Sequence, residues 1–132
     1  MLEKLAGKLA QLKDGLTTKA RGDAAEDAAL RFLLKHGLKV EARNFIAKGG
    51  EIDLIMRDGA TLVFVEVRAR NHRGYGDAAA SVTQLKQRRI AKAAAHYLQQ
   101  RGGKLPACRF DVVGIADGAA PQWIKSAFDA AF

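Results

Sequence analysis

A chain of 132 residues in which 22 Lys and Arg face 14 Asp and Glu, for a net charge of +8, fits one domain around one core. That balance favours polyanionic partners, nucleic acid before anionic membrane surfaces, although a basic surface also serves solubility alone. A single cysteine excludes an internal disulfide and a multi-cysteine zinc site, and no apolar run approaches the ~18 residues of a membrane span, so a cytoplasmic protein with no membrane partner is expected.

Residues 1–18 place Leu2, Leu5, Leu9, Leu12 and Leu16 at alternating spacings of three and four, which predicts an amphipathic helix followed by a hinge around Gly15, Thr17 and Thr18. Residues 19–132 form the main domain. It opens with a helix from Asp23 to His36, stopped by Gly37, in which Asp23 and Glu26 match a capping box. Strand-like pieces follow at 38–45, 50–57 and 61–69, then the loop "NHRGYGDAAA", then a helix from Ser81 to Gln100. "ACRFDVVGIAD" reads as a buried strand, with Cys108 a small apolar residue within it. "QWIKSAFDAAF" predicts a short strand and a terminal helix.

The segment "EIDLIMRDGATLVFVEVRAR" sets Glu51, Asp53 and Glu66 inside strands meant for burial, where an unpartnered carboxylate costs several kcal/mol or takes up a proton. A two-residue turn at Asp58 and Gly59 would pair Asp53 with Phe64, Glu51 with Glu66, and Ile55 with Leu62. Alternation then puts Ile52, Leu54, Met56, Val63, Val65 and Val67 on one face. Ile55, Leu62 and Phe64 share the other with Glu51, Asp53, Glu66 and Arg68. Asp53 and Glu66 become diagonal neighbours about 7–8 Å apart, a separation one cation can bridge. Two readings stay open: a Mg²⁺ or Mn²⁺ site, or a charged cluster neutralised by Arg68 and Arg70.

Two helices can reach this face. Glu26 shares a stripe with Ala29, Leu30 and Leu33, so it points inward and is a candidate third acidic ligand; its place near a helix start is favourable in any case. On the long helix Val82, Leu85, Ile90, Ala93 and Tyr97 share an arc, and Lys86 falls inside it. Arg88 and Lys92 form an outward basic row, suited to phosphates or simply solvated. In the loop, Arg70 and Arg73 suit phosphates and Tyr75 suits a base, whereas a lone loop histidine such as His72 is more often merely exposed.

Taken together, "GDAAEDAALRFL", "GGEIDLI", "VFVEVRAR" with Gly76 in the next loop, "VTQLKQRRI" and "RFDVVGI" resemble the YraN family of small bacterial proteins over residues 21–132. The resemblance implies an α/β fold of the restriction-endonuclease-like, PD-(D/E)xK type: an αβββαβ core with a mixed central sheet flanked by helices, similar to Holliday junction resolvases. It implies Mg or Mn as cofactor, held by Asp53, Glu66, Glu26 and the backbone carbonyl of Val67. The motif lysine of such nucleases is replaced by Arg68, which offers a permanent charge and a fork suited to phosphate but is a poor general base. Lys86, by helical phase, stands in for it. The expectation is an endonuclease on DNA phosphodiesters, of branched or damaged DNA, with RNA left open and a homodimer implied if junctions are the substrate. The alternative is a non-catalytic nucleic-acid-binding module in which Arg68 neutralises the acids.

Overall fold

The computed structural model describes residues 22–70 and 78–130. The leucine seam of residues 1–18, its hinge and the loop residues His72, Arg73, Tyr75 and Gly76 lie outside them. Helix α1 covers residues 22–35, followed by strands β1 (Lys39–Ala47), β2 (Gly50–Asp58) and β3 (Thr61–Ala69). A 3-10 turn at Ala78–Ser81 leads into helix α2 (Gln84–Arg101), then β4 (Cys108–Ile115) and β5 (Gln122–Phe128). The five strands form one mixed sheet in chain order, antiparallel throughout except for the parallel β3–β4 pair, whose crossover carries α2.

One helix covers each face of the sheet. Ala29 and Leu33 of α1 pack on Leu54, Met56, Val63, Val65 and Val113, while Ile90, Ala93 and Ala94 of α2 pack on Ile55, Leu62, Phe64 and Val112. Both helices follow their expected stripes, and the fully buried Leu33, Leu54, Ile55 and Phe64 side chains each contribute about 1.5–3 kcal/mol. Thr83 caps α2 by accepting the Lys86 amide at 3.1 Å, which satisfies a donor the first turn leaves free. The helix therefore begins at Gln84, later than its apolar pattern predicts. Leu85, assigned to the buried arc, is half exposed because it sits in that first turn, beside the sheet edge.

The β2–β3 hairpin forms, two residues out of the expected register. Asp58 pairs with Thr61, so Gly59 and Ala60 make the turn and Arg57, Ile55 and Leu54 oppose Leu62, Phe64 and Val65. Glycine takes the first central position with φ 59°, the placement a type II′ turn demands. A shift of two preserves which face each side chain takes, so the acids stay together. Ile52 is an exception to the expected alternation: it packs with Ile55 on the α2 side. Its partner across β1 is Phe45, next to Asn44 with φ 50°, and Phe45 packs on that side too.

The predicted short strand forms and runs on to Phe128, and residues 129 and 130, read as part of a terminal helix, are not helical. Residues 122–128 pair antiparallel with β4 through Trp123, Ile124 and Phe128, and Ile124 and Phe128 pack on the α2-side core. Pairing with an otherwise open strand edge outweighs the weak helical preference of a short alanine-containing tail. The shift in register falls between Phe110 and Val112, where Asp111 accepts the Ser126 amide at 3.0 Å.

Candidate active site

The hairpin brings Asp53 and Glu66 together at its open end. The ladder stops at Leu54 and Val65; one position further, the Asp53 carboxylate accepts the Val67 amide N–H at 2.8 Å. A side-chain acceptor thus takes over where a strand carbonyl would serve, and it fixes Asp53 beside Glu66. Glu66 is 4% exposed. Its Oε1 lies 3.7 Å from Arg68 Nη1 and 3.7 Å from Lys86 Nζ. Its Oε2 is buried with no hydrogen-bond partner among the described residues. Lys86 points inward as its helical phase predicts.

Burial raises the pKa of Glu66 to about 7, with the neighbouring Asp53 charge adding to it and Lys86 and Arg68 opposing it. Two cations close by would ordinarily hold a carboxylate low; at 3.7 Å neither donates a hydrogen bond, and the loss of water outweighs them. Asp53 is also pushed up, first by burial and then by the Glu26 charge, while the Val67 amide and Lys86 pull it down. Both acids are thus penalised for carrying charge, in a position neither can leave. Exposed Glu51, paired with Ile46 across β1–β2, adds to the repulsion on each.

Glu26 lies inward, 8% exposed, but is committed elsewhere. Arg43 of β1 donates to its Oε1 from Nε at 3.2 Å and Nη2 at 3.1 Å, and reaches Asp27 at 2.7 Å. Among the described residues no three acidic, histidine or cysteine side chains come close enough to hold a metal together. The donors that fit a cation are therefore the two carboxylates of Asp53 and Glu66: adjacent, mutually repelling, and with Glu66 Oε2 unpartnered. Two carboxylates with water completing the shell are what Mg²⁺ ordinarily takes from a protein.

The remaining predicted residues fall around this pair at different distances. Arg68 turns along the start of α2: its Nε donates to Ser81 Oγ at 3.0 Å, and Ser81 Oγ donates to the Ala78 carbonyl at 2.6 Å. Arg70 reaches the other way and donates to the Ala120 carbonyl at 3.0 Å, bracing the β4–β5 connection. Arg88 and Lys92 are exposed on α2. Ser81 and Thr83, which set Arg68 and Lys86, were not singled out from the sequence. The signal for Thr83 was a hydroxyl three residues before Lys86 at a helix start.

A second polar cluster also escaped the sequence. Asp111 is fully buried and accepts from Arg109 Nε at 3.1 and 3.2 Å and from Trp123 Nε1 at 2.9 Å, while Arg109 Nη1 donates to Asp58 at 2.9 Å. Asp111 pairs with Val65 across β3–β4 whereas Glu66 pairs with Val112, so the two acids occupy opposite faces. Asp111 has its donors supplied and holds β5 to β4.

A mixed sheet with a helix on each face, carrying a carboxylate pair of which Glu66 is buried and flanked by two cations at the open end of one hairpin, is the class of protein that this fold and site define. The sequence profile described as uncharacterised protein family UPF0102 matches residues 25–115, and the chain belongs to that family, the YraN family. It is 58% identical over 113 residues to a UPF0102 protein of Ralstonia nicotianae, covering 83% of this chain and 86% of that one. A UPF0102 protein of Ralstonia pickettii is 56% identical over 115 residues, 84% of this chain and 91% of its own. One of Methylibium petroleiphilum is 52% identical over 122 residues, 87% and 98%. The segment matched by the profile contains Glu26, Asp53, Glu66, Arg68 and Lys86. No helix among the described residues is long and apolar enough to cross a membrane.

Proposed function

We propose that this protein is a metal-dependent hydrolase of DNA phosphodiesters, an endonuclease on the restriction-endonuclease-like core, with branched or damaged DNA as its substrate class. The observation that carries this reading is the Asp53–Glu66 pair: adjacent carboxylates whose charged forms are disfavoured by burial, one with an unpartnered oxygen, beside two cations in a basic chain. The element order α1, β1, β2, β3, α2, β4 supports it, being the order of that core.

Asp53, Glu66 and the backbone carbonyl of Val67 would hold Mg²⁺ or Mn²⁺, with Glu26 available once its contact with Arg43 opens. Such an ion lowers the pKa of a bound water and screens charge developing on phosphate. Arg68 supplies a permanent positive charge at the place of the motif lysine and, through Ser81, a fixed direction for it. Lys86 sits across the same Glu66 oxygen and stabilises charge on the phosphate in the lysine's stead. Glu66 is itself buried, which strengthens the interactions it makes.

A second reading, a non-catalytic nucleic-acid-binding module, is favoured by one observation: Arg68 and Lys86 both stand 3.7 Å from Glu66 Oε1 and already offset its charge. Titrating Mn²⁺ calorimetrically into wild type and Asp53→Asn, then assaying both on branched and linear DNA, separates the two. The hydrolase reading expects Mn²⁺ binding and cleavage in the wild type, both lost in Asp53→Asn while DNA binding persists. Metal-dependent cleavage that survives Asp53→Asn overturns it; DNA binding with neither metal binding nor cleavage favours the module.

A further inference from the structure

A groove of about 400 Å³ runs beside the acid pair, between the β1–β2 turn and the first half of α2. Ile46, Gly49, Gly50 and Glu51 line one wall, and Lys86 and Arg89 the other. Lys86 belongs to both places, since its Nζ stands 3.7 Å from Glu66. The turn is pressed onto the helix: a Cβ on Gly50 would collide with the Arg89 carbonyl, and one on Gly49 would touch the Lys92 stem at 3.5 Å. Lys86, Arg89 and Lys92 therefore follow one another along the side of α2 that meets the turn. Arg89 and Lys92 are exposed and form no ion pair with any described residue. Among the described residues Glu51 is the one acid lining the groove.

We infer that this groove seats the backbone phosphates of the nucleic-acid strand next to the one held at Asp53 and Glu66, with Arg89 as its principal cation. The inference rests on the hydrolase reading for the identity of the partner. Cationic side chains at positions 86, 89 and 92 span a helical rise of about 9 Å, enough to face more than one phosphate of a strand. On the opposite wall Gly49 and Gly50 present no side chain, leaving room between Ile46 and Glu51 for a backbone to approach. Arg89, with no ion pair among the described residues, can turn its guanidinium fork to two phosphate oxygens, a contact Lys86 shares with Glu66 and so makes less completely. Arg89 is thus a positioning residue, one that fixes strand register against the acid pair without touching the reacting atoms.

The test compares Arg89→Ala, Arg89→Lys and, as a control on the far end of β2, Arg57→Ala. DNA affinity is read by fluorescence anisotropy of a labelled duplex over a series of salt concentrations, and Mn²⁺ binding by calorimetry. Arg89→Ala is expected to bind DNA about tenfold more weakly at low salt, with the slope of log affinity on log salt smaller by about one, while Mn²⁺ binding matches wild type. Arg89→Lys keeps the slope, which follows charge, and recovers only part of the affinity, since it lacks the fork. Arg57→Ala leaves both unchanged. Equal affinities for Arg89→Ala and Arg57→Ala, or a wild type that binds no DNA, overturn the phosphate seat. A weakened Arg89→Ala in a protein that binds no Mn²⁺ supports the seat while the hydrolase reading falls. Intact Mn²⁺-dependent cleavage with no loss in Arg89→Ala does the reverse.

Discussion

The Asp53 carboxylate accepts the Val67 amide at 2.8 Å, one step beyond the last paired residues of the β2–β3 hairpin. This contact does structural work that the charge does not: an acceptor is needed, an ionised one is not. Asp53→Asn keeps an acceptor oxygen and removes the repulsion with Glu66, so urea unfolding without metal is expected to find it at least as stable as wild type. Asp53→Ala orphans a half-buried N–H and falls below Asp53→Asn by about 1–2 kcal/mol.

Glu66 makes stability depend on pH in the direction opposite to most carboxylates. Its folded pKa of about 7 lies above the ordinary 4.5, so the folded chain keeps a proton that the unfolded chain has released. Stability is then fully present below about pH 4.5 and is lost as pH rises through about 7, a change on the order of 3 kcal/mol. In denaturation midpoints recorded with a chelator from pH 5 to 8, wild type is expected to weaken progressively and Glu66→Gln to stay nearly level over that range. Mn²⁺ binding should cancel the wild-type decline.

Close packing of the β1–β2 turn on α2 predicts a sharp response to one methyl group. Gly50→Ala places its Cβ against the backbone of Arg89 rather than a side chain that can swing away, so helix and turn must separate at a cost of about 1–3 kcal/mol. Thermal unfolding is expected to show the loss. Because Lys86 rides on the displaced helix, Mn²⁺ affinity should shift as well.

Arg109 and Asp111 carry stability on the other face. Arg109→Met leaves Asp111 buried without its cation though still bonded to Trp123 and the Ser126 amide, a loss expected near 3 kcal/mol in urea unfolding. Mn²⁺ binding should remain that of wild type, since Glu66 faces away from this network.

Much of the site was legible because it depends on parity and phase. Asp53, Glu66 and Arg68 share a face by alternation along two strands, and a two-residue error in register leaves parity untouched, so their association survived a turn placed one residue early. Lys86 was found by helical phase, which needs no knowledge of the sheet. Local pattern could not reveal how far Glu26 is claimed by Arg43, a residue 17 positions away on another element, nor that Asp111 answers to Trp123 and Ser126, 12 and 15 positions on. The same limit explains how far the last strand runs: the alanine-containing tail reads as helix until β4 offers Phe128 an edge. Ile52 departs from strict alternation, packing with Ile55 on the α2 side, and pattern alone does not show it.

The β3–β4 pairing has a consequence for how the site comes into being. Asp53 and Glu66 are 13 residues apart and joined by a tight hairpin, a contact a chain reaches early and at small entropic cost; Val65 and Asp111 are 46 apart, and their pairing must await the docking of α2. Lys86 reaches Glu66 only with that docking. The hairpin can thus assemble the two acids, with Arg68 on the same strand, before Lys86 arrives, and the helix that brings the lysine is the same one that covers the α2-side core. Maturation of the site and closure of the core are linked, so a partly folded chain with the hairpin formed would have the carboxylates and Arg68 in place but neither Lys86 nor the dry setting that distinguishes them.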